Sequence, residues 1–122
     1  MCGMEVNVLG TDYKILLKAY KDDDAFAKKS IDGYCNGFTH EIVVCDLNTK
    51  EDWNAESKET IDVCQKQILR HEIVHAFLNE SGLQANAHNN NDISWAYNEE
   101  MVDWIALQGI KIYNAWKQAN CI

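Results

Sequence analysis

The chain has 122 residues, of which 47% are apolar and 25% are charged, the composition of an ordinary globular domain. A chain of this length has room for one hydrophobic core and is too short for two, so we expect a single domain over residues 1–122. Acidic side chains outnumber basic ones by 19 to 11, which gives a formal net charge of −8, and no run of Lys or Arg interrupts this excess. Binding to a phosphate backbone draws on a concentrated positive surface, so the composition argues against a nucleic-acid partner.

The N-terminus and the cysteines indicate the compartment. Residues 1–5 lack a basic segment followed by an apolar one, and no window approaches the length of a membrane-spanning helix. The five cysteines are widely spaced and contain no C-x-x-C pair, so neither a disulfide framework nor a Cys-rich zinc site is suggested. We therefore expect a cytoplasmic protein without a membrane partner; these features do not specify its oligomeric state.

The first elements of the chain have the pattern of a small sheet. Glu5–Leu9 alternates between apolar and polar residues, Gly10–Asp12 supplies turn residues, and Tyr13–Lys18 is a second strand candidate. Together they predict an antiparallel hairpin. A short helix is predicted at Ala25–Lys29, because acidic residues precede it and lysines end it.

A third strand is predicted after a turn. Asp32–Gly37 contains two glycines and is predicted to be that turn, and Phe38–Asp46 is rich in β-branched and apolar residues. This strand could pair with an extended peptide, or it could only support the core. The mostly polar residues 47–56 are predicted to connect it to the next element.

Two long helices are predicted in the second half of the chain. From about Ser57 apolar residues recur with a helical period until Gly82, which offers a helix stop. The Asn-rich segment 84–92 is predicted to be a loop, and a second helix is predicted over about Asn98–Gln118. The elements together predict an α+β fold in which a short antiparallel sheet of about three strands packs on two long helices.

The first long helix contains the pattern His-Glu-x-x-His. His71 and His75 are four residues apart, so on a helix both imidazoles lie on one face and can bind a single tetrahedral metal ion. Glu72 lies beside that face, where its carboxylate could take a proton from a metal-bound water. A catalytic zinc usually has three protein ligands, so a third ligand is expected elsewhere.

The second long helix begins with Asn98-Glu99-Glu100-Met101-Val102-Asp103. At this point the sequence resembles the zincin metallopeptidases, and within them the thermolysin-like group, whose second helix has the pattern Asn-Glu-x-x-x-Asp. The resemblance implies that Glu99 is the third ligand and that Asp103 accepts a hydrogen bond from the outward nitrogen of His71. Glu99 and Asp103 share a helical face, whereas Glu100 is rotated away by about a third of a turn, although Glu100 stays the alternative third ligand.

The resemblance also covers the order of elements. A hairpin, an apolar strand and two helices that carry the motifs are similar to small zincin-type proteins from prophages and mobile elements of Gram-positive bacteria. The resemblance implies a compact zincin fold, Zn²⁺ as the cofactor and a peptide or protein substrate. Zn²⁺ is also the metal that best suits two imidazoles, one carboxylate and an open position.

The expected reaction is hydrolysis of a peptide bond with Glu72 as general base. Three alternatives stay open: a binding or assembly protein with a structural zinc, a metal-dependent amidase that acts on cell-wall material, and a protease that is active only with a partner. A stabiliser of the transition-state charge is also expected, and the candidates are Tyr97, His88 and His40.

Overall fold

The structure, a computed structural model, describes residues 4–50, 58–83 and 98–122. It combines a four-stranded sheet with two long helices, which confirms the predicted α+β class. The short element Ala25–Lys28 follows the second strand, as predicted. In chain order the elements are β1 Met4–Val8, β2 Thr11–Ala19, α1 Ala25–Lys28, β3 Gly33–Asn36, β4 Glu41–Asp46, α2 Lys58–Glu80 and α3 Glu99–Gln118.

The predicted hairpin is formed by β1 and β2, which pair antiparallel from Met4↔Ile15 to Val8↔Thr11. Its turn, Leu9–Gly10, starts one residue earlier than predicted and has two residues rather than three; both have positive φ (51° and 95°). Two adjacent positive φ angles are typical of the tight turn that matches the right-handed twist of a hairpin. The alternating inward residues of the hairpin enter the core.

The sheet has one more strand than the sequence predicted, and it is mixed rather than wholly antiparallel. Its order is β1-β2-β4-β3, in which β2 and β4 are parallel and the other two pairs are antiparallel. The additional strand is β3, in the segment predicted to be a turn. β4 starts at Glu41, three residues later than predicted, and lies between β2 and β3 with both sides paired. The prediction that this strand offers an edge to a peptide is therefore wrong.

Helix α2 crosses the sheet and buries one face against it. Glu72 and Ala76 are buried on this face, and Ala76 belongs to the core cluster that includes Ile15 and Ile42. Gln65 is also buried; its side chain accepts from the N–H of Leu47 and donates to the C=O of Cys45. Polar backbone groups at the end of β4 are thus satisfied by the helix, which fixes how α2 lies on the sheet.

Helix α3 lies antiparallel to α2, as the contacts between the two helices show. It begins where predicted, because the side chain of Asn98 caps it by accepting from the N–H of Met101 at 2.8 Å. The Nε of Arg70 on α2 donates to the C=O of Ala106 on α3 at 2.7 Å, and Leu78 packs against Val102. Within the described ranges no helix is long and apolar enough to cross a membrane.

Candidate metal centre

Two histidines of α2 and one glutamate of α3 meet at a single point. The rings of His71 and His75 lie on one side of α2, with centroids 4.8 Å apart. Glu99 places Oε2 3.0 Å from His71 Nε2 and Oε1 3.0 Å from His75 Nε2. The two histidine side chains are 17% and 12% exposed, whereas that of Glu99 is 62% exposed, so the cluster is open on the α3 side. Glu100, the alternative third ligand, is exposed and does not line this point.

Asp103 approaches His71 from the other side of the ring. Its Oδ1 lies 2.6 Å from His71 Nδ1, and because an ionised carboxylate only accepts hydrogen bonds, Nδ1 carries the proton and donates it. In a neutral imidazole Nε2 then keeps its lone pair, and this nitrogen faces Glu99. A lone pair and a carboxylate oxygen 3.0 Å apart need a proton or a metal cation between them.

Glu72 is a buried carboxylate beside the histidines and is 6% exposed. Burial raises the pKa of its carboxyl to about 7. Burial also lowers the pKa of His75, which favours the neutral imidazole that binds metals. One ligand atom each from His71, Glu72 and His75 lies within 4.8 Å of the others, so this group could hold a metal ion.

The donor set fits zinc. Zinc ligands lie about 2.0–2.2 Å from the metal in a tetrahedron, which separates two ligand atoms by about 3.3 Å. The distances from Glu99 to the two Nε2 atoms, 3.0 Å each, are close to this separation. His71, His75 and Glu99 could therefore hold a zinc ion. Two imidazoles and one carboxylate are a catalytic type of set, because they leave a position for water or substrate.

A groove of about 620 Å³ opens beside the cluster. This volume is in the range of about 300–1,000 Å³ that is typical of ligand-binding clefts. One wall is α2, the opposite wall is β3 with the segment before it, and α3 contributes the acidic end. The lining residues are Lys29, Ile31, Asp32, Gly33, Tyr34, Cys35, Gln67, Ile68, His71, Glu72, His75, Glu99 and Asp103.

The β3 wall of the groove is an edge strand, since β4 pairs with one side of it and no described strand pairs with the other. The N–H of Cys45 donates to the C=O of Asp32 at 2.8 Å, so these two residues form a hydrogen-bonded pair. In an antiparallel ladder such pairs alternate with pairs whose N–H and C=O point outward. The register therefore directs the backbone groups of Gly33 and Cys35 toward the open edge.

Of the three candidates for the transition-state stabiliser, His40 is the one that the structure describes. His40 contacts the ring of Tyr13 and lies 3.7 Å from Glu80, and it does not line the groove. The interpretation of His40 as a stabiliser is therefore wrong. Tyr97 and His88 lie outside the described residues, so their proposed role stays a prediction.

The sequence did not identify Gln67 on α2 or the wall of the groove opposite α2 as parts of the site. Gln67 is one helical turn before His71, so the i, i+4 spacing could have placed it at the site. Lys29, Gly33 and Tyr34 belong to a segment that was predicted to end a helix and form a turn. No local sequence pattern indicates that these three residues lie near the histidines, because the pairing of strands in the sheet is what brings them there.

Comparisons of the chain with models of protein families, with curated proteins and with solved structures give no match. The chemistry of the site follows from its own side chains. Two imidazoles and the Glu99 carboxylate can hold a cation, the buried Glu72 carboxylate can move a proton, and Asp103 orients His71.

Proposed function

We propose that the protein is a zinc-dependent metallopeptidase in which His71, His75 and Glu99 hold the metal and Glu72 is the general base. The observation that carries the proposal is that Glu99 reaches Nε2 of both histidines at 3.0 Å while Asp103 contacts the other nitrogen of His71 at 2.6 Å. Metal-binding histidines almost always have such a second partner, which fixes the tautomer and the ring orientation. If the acidic start of α3 were only a solvent-exposed surface, nothing would require the Glu99 carboxylate to lie between two largely buried imidazoles.

The residues of the chain supply the acid–base steps of the proposed reaction. Zinc, when bound, would polarise the scissile carbonyl and lower the pKa of a water molecule. The carboxylate of Glu72 accepts a proton from the attacking water and then gives it to the leaving amine nitrogen. Asp103 keeps Nδ1 of His71 protonated, so that Nε2 stays available as a ligand.

A peptide is favoured as the substrate because the open edge of β3 lies in the wall of the groove. An extended peptide adds to such an edge through main-chain hydrogen bonds. The outward backbone groups of Gly33 and Cys35 are the ones available for this pairing. Gly33 is also next to Glu72, since a Cβ added at Gly33 would lie 3.3 Å from Glu72 Cγ. A peptide on this edge would therefore pass close to the proposed base.

A structural zinc is the principal alternative, and the opening of the site argues against it. Structural zinc sites are closed by four protein ligands, whereas catalytic sites keep one position open. Among the residues that the structure describes, His71, His75 and Glu99 converge at a point beside the 620 Å³ groove, and the proposal assigns the nearby Glu72 to proton transfer rather than to the metal. A fourth protein ligand on the metal would count against catalysis.

The test compares the zinc-loaded wild-type chain with Glu72→Gln on a mixed peptide library. We expect Glu72→Gln to keep its zinc and to lose cleavage activity by about 10²–10⁴-fold, the contribution of a positioned acid–base group. A chelator should abolish wild-type cleavage, and added zinc should restore it. Glu59→Gln is the matched control, because Glu59 is exposed in the first turn of α2 and does not line the groove.

Three outcomes would contradict parts of this proposal. Full activity in zinc-loaded Glu72→Gln would show that Glu72 is not the base. Zinc binding by the wild type without cleavage of any peptide would favour the structural site. Cleavage of non-peptide amides alone would favour the amidase.

A further inference from the structure

The groove contains a cation that no described carboxylate neutralises. Lys29 is the only Lys or Arg among the lining residues, and within the described ranges its ammonium makes no ion pair or hydrogen bond. The preceding Lys28 differs in both respects: it lies 3.9 Å from Asp24, with which it forms an i, i+4 pair, and it does not line the groove. The two neighbouring lysines therefore provide a built-in comparison.

Contacts between β3 and α2 show how the groove wall near Lys29 is aligned. A Cβ added at Gly33 would meet Ile68 at 3.0 Å, whereas one at Gly37 would overlap the side chain of Asn79. β3 and α2 therefore run in the same direction. Lys29 is the C-cap residue of α1, four residues before Gly33, and the chain between them turns at Ser30, whose φ is 52°. Four residues span at most about 14 Å, so an extended peptide that passes Gly33 would reach Lys29 within about four residues of the scissile bond.

None of the four carboxylates that line the groove, which are Asp32, Glu72, Glu99 and Asp103, makes a described contact with Lys29. Asp32 forms an ion pair with Lys50 at 2.8 Å, and Glu99 and Asp103 contact the histidines. Among the described lining residues, Lys29 is thus the one Lys or Arg and has no carboxylate partner, in a protein whose net charge is −8. A substrate carboxylate that approaches this acidic protein finds its favourable partner at Lys29.

We propose that Lys29 is a specificity-determining residue that binds a carboxylate of the substrate on one side of the scissile bond. The carboxylate belongs either to an Asp or Glu side chain or to a chain terminus, which have the same chemistry. The proposal rests on the proposed peptidase function, because it assigns a binding position in the same groove. Its test is therefore a binding measurement that does not need cleavage.

The experiment uses zinc-loaded Glu72→Gln protein and short fluorescent peptides built from neutral residues. One series has an amidated C-terminus and a single Glu that is moved along the peptide; one further peptide has no Glu and a free C-terminal carboxylate. Fluorescence anisotropy gives the dissociation constants. We expect one position of the carboxylate to tighten binding about three- to fivefold over the neutral amidated peptide, the size of a solvent-exposed ion pair, and added salt to weaken the effect.

Charge reversal provides the decisive comparison. In the Lys29→Glu variant the preference should reverse, so that a peptide with Lys at the same position binds more tightly than the one with Glu. Lys28→Glu changes the net charge by the same amount and should keep the original preference. Equal binding of all the peptides, or an unchanged preference in Lys29→Glu, would overturn the proposal, and so would an equal loss in Lys28→Glu.

The outcomes also separate this proposal from the proposed function. Lys29-dependent binding by a protein whose wild type cleaves nothing would contradict the peptidase and leave the carboxylate site standing. Cleavage by the wild type with no preference for acidic peptides would contradict the role of Lys29 alone.

Discussion

Glu99 and Asp103 divide the two nitrogens of His71 between them, and this division gives each nitrogen a separate task. Asp103 accepts the Nδ1 proton, so Nε2 is left to face Glu99 and His75. Glu99 and Asp103 can do this together because they are four residues apart on one face of α3. Holding an exposed glutamate in one position costs side-chain entropy, so a strong interaction must offset that cost. A shared metal ion would provide it.

The roles of the two adjacent glutamates can be separated by their zinc affinity. Glu99→Gln should weaken zinc binding by more than about 100-fold, since loss of an outer-sphere partner alone costs about 10–100-fold. Glu100→Gln should leave the affinity nearly unchanged, because Glu100 is exposed and does not line the site. Competitive titration against a zinc-binding indicator measures both variants. A loss confined to Glu100→Gln would make Glu100 the third ligand.

At the scale of the elements, the helices and the strands differ in how far the sequence predicts them. The signals for α2 and α3 are local: a helical period, a histidine pair at i, i+4, and the Asn98 cap whose side chain accepts from the N–H of Met101. The signal that would have revealed β3 is not local. Gly33 is needed because a Cβ there would lie 3.0 Å from Ile68 Cγ2 and 3.0 Å from the O of Val43. In sequence the same glycine indicates only a turn.

The position of β4 between β2 and β3 was unpredictable for a related reason. Without β3 the sequence has β4 following β2 directly, which favours antiparallel pairing, but β4 is parallel to β2 and pairs with β3 on its other side. Parallel strands occur where both faces of the sheet are covered by other parts of the molecule. Both faces of β4 are covered, since Ile42, Val43 and Val44 are each 0–2% exposed. The histidine motif could therefore be predicted, while the groove wall that faces it could not.

The last turn of α2 is fixed to the hairpin by Glu80, and this contact should make stability depend on pH. The carboxylate accepts from the hydroxyl of Tyr13 at 2.7 Å and from that of Thr11 at 3.0 Å. The hydrogen bond from Tyr13, followed by that from Thr11, holds the pKa of Glu80 below its usual value of 4.5. A group with a lowered folded-state pKa contributes stability above its unfolded pKa and loses it as the pH falls through the folded value.

We therefore expect Glu80→Gln to be less stable than the wild type at neutral pH and the difference to shrink as the pH falls below about 4.5. Urea unfolding midpoints measured across this pH range test the prediction. Glu59→Gln serves as the control, because Glu59 is exposed in the first turn of α2. A constant difference between Glu80→Gln and the wild type at all pH values would show that Glu80 acts through packing rather than through its charge.

At the scale of the whole molecule, the contacts of α3 with the other described residues are made chiefly through α2. The contacts are the Arg70–Ala106 hydrogen bond, the packing of Leu78 on Val102 and the candidate metal centre. Beyond these contacts the C-terminal half of α3 exposes large apolar side chains: Ile110 is 58% exposed, Tyr113 46% and Trp116 51%. A metal ion bound by both helices would therefore join two elements that share a limited interface.

Zinc should accordingly raise the thermal stability of the chain by an amount that depends on Glu99. Because the site needs both helices folded, zinc binds the native state selectively and adds about 2.7 kcal/mol at a concentration of 100 times the dissociation constant. For a domain of this size that corresponds to a rise in Tm of roughly 10 °C. Circular dichroism melts with zinc and with a chelator measure the rise. Glu100→Gln should keep it and Glu99→Gln should lose most of it. An equal rise in the Tm of Glu99→Gln would show that zinc binds elsewhere. No rise in the Tm of the wild type would contradict the proposal that a metal ion joins α2 and α3.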